Sequence, residues 1–490
     1  MIFPLIKRDL RSLRNTELSF KSINKNFFAD LEKFSRNTAI ITESSEQISY
    51  KSLLEAALQI GKHIEKRDLV FLVSNNCFES VAGYIGFFQA QAVQLLIHDT
   101  IDNILFENLL KTFKPKYIYM PAEKSVLKIN CNTIYSFGNF KLLKTDYEID
   151  YTLHEDLALL LSTSGSTGSQ KFVRQSYDNI ASNADAITQY LEITSADRPI
   201  TTMPMSYTYT LSIVNTHLLK GASIIFTDAT LMEKRFWETL RDNNATTFGG
   251  VPYTFEMLKK LRFERMNLPN LKYITQAGGK LSIELSSEFA GICYDKGIKF
   301  FVMYGQTEAS PRMSYLPWEY ARTKVGSIGI SIPGGRFWLE DENGNVIKES
   351  GKIGELVYQG ENVTMGYAES CFDLQNGDDN KGTLRTGDLA KRDSDGFYYI
   401  TGRKKRFLKM YGHRVNLDEL EELIRIAGFD CVCTGTDDNL KIYITEPDDK
   451  DRIVSYIAKR TGINQAGFSF EYIDKIPRNE SGKVQYSALV

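Results

Sequence analysis

The sequence has no Cys-x-x-Cys pair, no cluster of histidines, no internal repeat and no low-complexity tract. Its six cysteines, Cys77, Cys131, Cys293, Cys371, Cys431 and Cys433, lack the spacing of a zinc site or a disulfide framework and read as reduced thiols. Only Cys431 and Cys433 lie close together; their i, i+2 spacing puts both on one face of a predicted strand, as packing residues. Charge of one sign is not in excess either. The 59 basic and 61 acidic side chains leave a formal net charge of −2, so no overall field points to nucleic acid or anionic lipid as a partner. Any anion that binds must be held locally. There is no apolar run of the ~18 residues a membrane span needs. Residues 1–10 meet Lys7, Arg8 and Asp9 too soon to form the apolar region of a signal peptide. A cytoplasmic protein without a membrane span is the expectation.

What is present is the composition of an ordinary globular enzyme, 42% hydrophobic and 24% charged, in a chain of 490 residues, too long for a single core. The two periods alternate from the start. Helical spacing over residues 52–65 gives way to an apolar strand at 68–74, a helix at 78–92 and a strand at 93–97. Further strands are predicted at 222–227, 245–250, 272–276 and 299–303, each ending at a glycine-rich or polar loop. This order implies a parallel, helix-covered sheet, and in such sheets ligands bind where strands end. From residue 325 the texture changes to short strands with Gly-rich turns, as in Ile332-Pro-Gly-Gly-Arg-Phe337. A last segment follows the basic run Arg403-Lys-Lys-Arg406, which reads either as a solvated surface or as a hinge. The predicted fold class is therefore α/β: a large N-terminal domain of helix-covered sheets over residues 1–403, with a β-rich subdomain at 325–403, and a small mobile α+β domain at 404–490.

The most informative local string is the apolar strand 157–161 running into Ser162-Thr-Ser-Gly-Ser-Thr-Gly-Ser-Gln-Lys171, with a helix predicted at 178–190. Backbone N–H groups, hydroxyls and one ammonium gathered in one loop suit a polyphosphate. It is not the common nucleotide-triphosphatase loop, in which lysine directly follows the second glycine, because Lys171 stands three residues after Gly168. A flexible Ser/Gly linker is the plain alternative, but a linker has no reason to follow a buried strand and end in lysine.

This loop resembles the phosphate-binding signature of the adenylate-forming superfamily, which holds acyl-CoA synthetases, peptide-synthetase adenylation domains and luciferases. Met303-Tyr-Gly-Gln-Thr-Glu-Ala309, Leu384-Arg-Thr-Gly-Asp-Leu389, Ile400-Thr-Gly-Arg-Lys-Lys-Arg406, Lys409-Met-Tyr-Gly-His-Arg-Val415 and Pro477-Arg-Asn-Glu-Ser-Gly-Lys483 resemble five further motifs of that superfamily, in the same order. With weaker matches such as Ile48-Ser-Tyr-Lys-Ser-Leu53, the likeness extends over nearly the whole chain. Gln170 departs from it, standing where proline is common.

The resemblance implies an AMP-forming acid–thiol ligase: a carboxylic acid is joined to AMP from ATP with release of pyrophosphate, and the acyl group then passes to a thiol. It implies that Thr163, Ser164, Gly165, Ser166, Thr167, Gly168 and Lys171 hold the departing pyrophosphate, that Thr307 binds the α-phosphate, and that Glu308 is the Mg2+ carboxylate. Tyr304 is expected on the adenine face with Gly278 and Gly279 opposite, although ordinary core packing would also explain it. Asp388 is expected to accept the ribose hydroxyls, Arg403 to donate to ribose or phosphate, and Lys483 to stabilise the adenylation transition state by charge. The hinge falls at Lys405, and the thioester-forming loop contains Lys409 and Gly412. His413 in that loop reads as a surface residue.

The acyl-pocket candidates are Tyr207, in a segment that loosely resembles the superfamily's substrate-side motif, with Gly249, Met303 and Arg312, which stands eight residues after Tyr304. Tyr207 stands where many relatives carry histidine, and no aspartate lies between Met203 and Thr216 to pair an α-ammonium, which speaks against an ordinary α-amino acid. Arg312 either faces this pocket and orients a polar or anionic substituent, or forms a surface ion pair. The acceptor is coenzyme A or the phosphopantetheine of a separate carrier protein, since the sequence ends at Val490 without a fused carrier. An inactive nucleotide-binding regulator is the reading from another functional class.

Overall fold

A computed structural model describes residues 28–124, 129–162, 171–404, 406–410, 413–436, 438–461, 465–478 and 484–489. Two large sheets organise the N-terminal part. In the first, the strands run in the order Ile330–Ser331, Arg312–Leu316, Lys299–Gly305, Tyr273–Gln276, Thr247–Gly250, Pro199–Ile200, Ile224–Ile225, Thr38–Ile41, Gln47–Ser49. Its middle is parallel and its edges are antiparallel. In the second, the order is Tyr367–Ala368, Phe172–Ser176, Leu157–Ser162, Val93–His98, Leu69–Ser74, Tyr117–Pro121, Phe140–Thr145, Cys131–Phe137. Leu69–Ser74 is buried at all six positions, as expected of a central parallel strand covered on both faces.

A five-stranded antiparallel sheet follows, from Arg336–Glu340 through Tyr398–Arg403. After it, the helices Leu417–Ile426 and Lys450–Thr461 cover a three-stranded sheet with its own core. Here Cys431 and Cys433 share that core while Val432, between them, enters a separate cluster, so both thiols serve packing. The fold class is thus α/β with a β-rich subdomain and a small C-terminal α+β unit.

Where the structure departs from the predicted elements, the cause is local pairing. The helix expected over 78–92 stops at Gln89, because Gln91 takes a left-handed turn (φ 56°) that brings the chain into Val93–His98. The helix expected over 52–65 starts at Tyr50, where the Ser49 hydroxyl accepts the Ser52 N–H at 3.1 Å, and ends at Gly61. The strand expected over 222–227 is only Ile224–Ile225, since its neighbour Pro199–Ile200 is equally short.

The largest correction concerns the phosphate-binding loop. It does not lead into the helix: the strand Phe172–Ser176 intervenes, antiparallel to Leu157–Ser162, and the helix Tyr177–Tyr190 begins only after it. The strands on either side of residues 163–170 are therefore antiparallel neighbours, and the helix N-terminus, capped by Ser176 and Asn179, lies beside Leu157, at the end of the pair away from Ser162 and Phe172.

Helices Tyr50–Gly61 and Phe78–Gln89 meet backbone to backbone. A Cβ on Gly86 would lie 2.4 Å from the Ala57 carbonyl oxygen, and one on Gly61 would lie 2.7 Å from that of Gly86. Gly86→Ala is therefore expected to lower unfolding free energy by ~1–3 kcal/mol through overpacking. Gly291→Ala, in helix Ile283–Lys296 with nothing within 4 Å of the added methyl, is expected to gain up to ~1 kcal/mol. Urea titration of both variants checks the contrast, and equal stabilities would contradict this helix crossing.

Candidate active site

Three adjacent parallel strands, Thr247–Gly250, Tyr273–Gln276 and Lys299–Gly305, end on the same edge of the first sheet, and the predicted residues gather there. The chain reverses after Gly305, where an added Cβ would fall 1.8 Å from the Pro311 carbonyl oxygen, so only glycine lets Lys299–Gly305 and Arg312–Leu316 close. That reversal presents Tyr304 to Glu308 as one short segment.

Tyr304 donates its phenol to Asp388 Oδ2 at 2.5 Å, and Gln306 Nε2 donates to the same oxygen at 2.9 Å. Arg403 Nε stands 3.2 Å from Asp388 Oδ1. Asp388 comes from the five-stranded sheet and is 4% exposed. Burial holds its carboxyl above the usual range, with Arg403 and the two hydrogen bonds opposing that rise. Such a carboxylate gains from any further O–H donor, as a ribose would supply. Arg403 is 63% exposed and can release Oδ1 by a side-chain rotation.

Thr307 Oγ1 lies 3.2 Å from Thr208 Oγ1, placing two hydroxyls together at the start of helix Thr208–Leu219. Glu308 Oε1 accepts the Tyr367 phenol at 2.8 Å. Two residues on, Glu369 Oε1 pairs with Lys171 Nζ at 2.7 Å. The edge strand Tyr367–Ala368 pairs with Phe172–Val173 and so ties the loop's lysine and Glu308 to one short segment. Sequence reasoning missed Tyr367, Glu369, Gln306 and Thr208, because each matters through a partner far along the chain.

Among the described residues no group of three or more His, Cys, Asp or Glu could hold a metal. A cation at Glu308 would draw a single protein carboxylate and complete its shell with phosphate and water oxygens, which suits magnesium.

Gly278 takes φ +81°, and a Cβ there would sit 2.7 Å from the Tyr207 hydroxyl and 2.9 Å from Val251 Cγ1. A Cβ on Gly279 would come 3.0 Å from Pro252 Cγ. Gly278 thus abuts Tyr207, which precedes helix Thr208–Leu219, while Gly279 abuts Pro252 at the start of helix Pro252–Lys260.

A gap of roughly 20 Å³, lined by Gly249, Met303 and Arg312 among others, has room for about one water. Tyr207 is not part of its wall. Arg312 is 4% exposed and not at the surface. Asn183 and Asn362 hold its carbonyl oxygen at 2.8 and 2.9 Å, and its guanidinium carbon lies 4.0 Å from the centre of the Tyr209 ring. Nε has no hydrogen-bond partner, and no carboxylate pairs with Arg312 among the described residues. The ring contact contributes ~2 kcal/mol when desolvated, less than the several kcal/mol that removing a cation from water costs.

Burial pushes the neighbouring Tyr209 phenol up to about 12 and the Tyr190 phenol also upward, so neither supplies a negative charge. Met303 Sδ accepts the Tyr190 O–H at 3.1 Å.

Thr163, Ser164, Gly165, Ser166, Thr167, Gly168, Lys405, Gly412 and Lys483 lie outside the described residues. Lys409 sits in the strand Phe407–Met410, paired in register with Arg414 of the antiparallel strand His413–Asn416. On one side of position 405, Arg403 reaches Asp388, and Lys404 Nζ meets Glu355 Oε2 at 2.7 Å. On the other side, Arg406 pairs with Asp418 and Glu421 of the C-terminal helix. The Arg403 N–H also donates to Asp418 at 3.0 Å.

The family model for AMP-binding enzymes matches residues 27–368. The chain is similar to a feruloyl-CoA synthase of Amycolatopsis sp, 26% identical over 67% of this chain and 68% of the relative. It is also similar to a 2-succinylbenzoate–CoA ligase of Listeria monocytogenes, 24% identical over 93% of this chain and 96% of the relative. Among solved structures, an O-succinylbenzoate coenzyme A synthetase of Bacillus subtilis in complex with AMP superposes with a TM-score of 0.76 at 20% identity, covering 94% of this chain and 97% of that one, which shows a shared fold.

His217, also on the gap's wall, is held neutral: burial pulls its pKa from the ordinary 6.5 to about 4. The unfolded chain takes up this proton near 6.5 and the folded chain only near 4, so the contribution of His217 to stability falls as pH drops through that window and is constant above it. His217→Gln is expected to remove up to about 3 kcal/mol of that fall. Urea midpoints of both proteins across the window read it out, and a constant difference between them would show that His217 is not held neutral.

Proposed function

The chain belongs to the AMP-binding enzyme family, and on that premise we propose that it is an ATP-dependent, AMP-forming ligase that activates a carboxylic acid and transfers it to coenzyme A. The observation that carries this reading is the joint anchoring of Lys171 and Glu308 by Tyr367 and Glu369, beside the Tyr304–Gln306–Asp388 cluster. A cation for phosphate, a carboxylate for magnesium and a ribose acceptor then face one nucleotide.

In the first half-reaction a carboxylate oxygen attacks the α-phosphorus and pyrophosphate leaves. The Thr307 hydroxyl donates to the α-phosphate, and Lys171 exchanges its exposed partner Glu369 for a pyrophosphate oxygen, which costs little because exposed ion pairs are weak. Residues 163–168 add backbone and hydroxyl donors. Glu308 would hold magnesium, which when bound offsets phosphate charge, while the Tyr367 phenol keeps that carboxylate oriented. Lys483 contributes its ammonium to the charge that develops in the transition state.

In the second half-reaction a coenzyme A thiol attacks the acyl carbonyl and AMP departs. The switch of ion-pair partners on either side of Lys405 supports a hinge there, between a 1–403 body and a 404–490 C-terminal domain that presents Lys409 and Gly412. Coenzyme A is preferred over a carrier protein as acceptor because the curated relatives are CoA synthases and ligases. Their acids differ, ferulate in one and 2-succinylbenzoate in the other, so the relation leaves the acid open. The six free cysteines support the cytoplasm as its location.

Acid-dependent ATP–pyrophosphate exchange, followed by release of AMP on adding coenzyme A alone, is the expected result. Nucleotide binding without exchange for any acid would favour a regulator, and AMP release only with a carrier protein would favour the other acceptor. Lys483→Ala is expected to reduce exchange by ~10²–10³-fold with little change in ATP affinity, because the lost contact belongs to the transition state. Equal losses in titrated ATP binding and in exchange would refute that role.

A further inference from the structure

Arg174 and Arg406 show how this protein accommodates an arginine withdrawn from water. Arg174 donates to the carbonyls of Tyr367, Met365 and Gly377 and pairs with Asp379. Arg406 pairs with Asp418 and Glu421 and reaches the Cys433 carbonyl. Arg312 is 4% exposed, yet its Nε is without a partner and no carboxylate meets it among the described residues. Its backbone is clamped by Asn183 and Asn362, so the side chain is held where it stands, at the wall of the gap it shares with Gly249 and Met303.

Among the described residues no carboxylate pairs with it to balance the charge. A guanidinium stays protonated at any ordinary pH. The titratable groups packed around it among the described residues are neutral: Tyr190 and Tyr209 are kept protonated by burial, and His217 is kept unprotonated, while Asp197, whose charge reaches His217, is paired with Lys272. We propose that the missing counter-charge is carried by the substrate: Arg312 receives a second anionic group, of carboxylate size, at the end of the acid remote from the carboxyl that is activated. This deepens the ligase reading above and rests on it.

The anion at Arg312 is distinct from the reacting one. Thr307, Thr208 and Glu308, which face the nucleotide, do not line this gap, whereas the apolar Leu191, Ile213 and Phe248 do. A diacid would therefore place an uncharged spacer against those side chains and its far carboxylate on the guanidinium, whose flat fork accepts two oxygens side by side. The gap admits about one water, so the far head must be compact and a neighbour must shift. Met303, unbranched and polarizable, is suited to yield.

The test is ATP–pyrophosphate exchange with length-matched pairs of acids: succinate against butyrate, glutarate against valerate, phthalate against 2-methylbenzoate. At least one diacid is expected to exceed its partner in kcat/KM by ~10-fold or more, and Arg312→Met to lower the diacid-to-monoacid ratio by roughly 10²-fold, mainly through KM. Arg312→Lys should keep part of the preference. Melting temperature gives a second readout: because Arg312→Met removes an unbalanced buried charge, it should melt no lower than the parent, and the preferred diacid should raise the melting temperature of the parent but not of the variant. A diacid-to-monoacid ratio unchanged in Arg312→Met, or in Arg312→Lys should the first variant not fold, overturns the inference. So does a parent enzyme that favours every monoacid, while the ligase reading survives both results. No exchange with any acid overturns both.

Discussion

A carboxylate and a polyphosphate repel one another, and their reacting atoms can meet only where fixed donors and cations take the place of water. The edge at which three parallel strands of the first sheet end is where this protein meets that demand. Tyr304 to Glu308 leave that edge as one segment, Asp388 arrives from a different sheet to meet Tyr304 and Gln306, and Tyr367 arrives from the second large sheet to meet Glu308. The site therefore exists only when three sheets are docked, which ties its geometry to the cores that hold them together.

The strand pair flanking residues 163–170 is pinned in the same way. Its second strand, Phe172–Ser176, is buried at every position and is paired along its edge by Tyr367–Ala368. Arg174 at its centre donates to carbonyls at the far end of that edge segment and beyond. An arginine used as a structural rivet here contrasts with Arg312, whose guanidinium donates to no carbonyl among the described residues. The same side chain serves cohesion in one place and keeps an unpartnered Nε in the other, and the difference lies in its surroundings.

Much of this was legible along the chain. Alternation of helical and strand periods identified the central parallel strands, and the resemblance to the superfamily singled out Tyr304, Thr307, Glu308, Gly278 and Gly279, which lie at or just after the ends of two of those strands. The intervening strand Phe172–Ser176 escaped notice because it is covered on both faces and has a charged residue at its middle, so it shows neither alternation nor an apolar run. Tyr367 and Glu369 carried no local sign at all, since a phenol or carboxylate reveals its partner only when the partner is brought to it.

By itself, then, the sequence determined the kinds of chemistry available: a hydroxyl- and glycine-rich turn, a Thr-Glu pair after a strand, an aspartate in a β-rich region and a distant terminal lysine, all set by local order. Only the tertiary structure decided that the strands flanking residues 163–170 pair antiparallel, that Lys171 and Glu308 share one anchoring segment, and that Arg312 is buried without a counter-charge among the described residues. The physical reason is that backbone periodicity is written between near neighbours, whereas burial and charge balance are sums over everything that packs around a group, most of it remote in the chain.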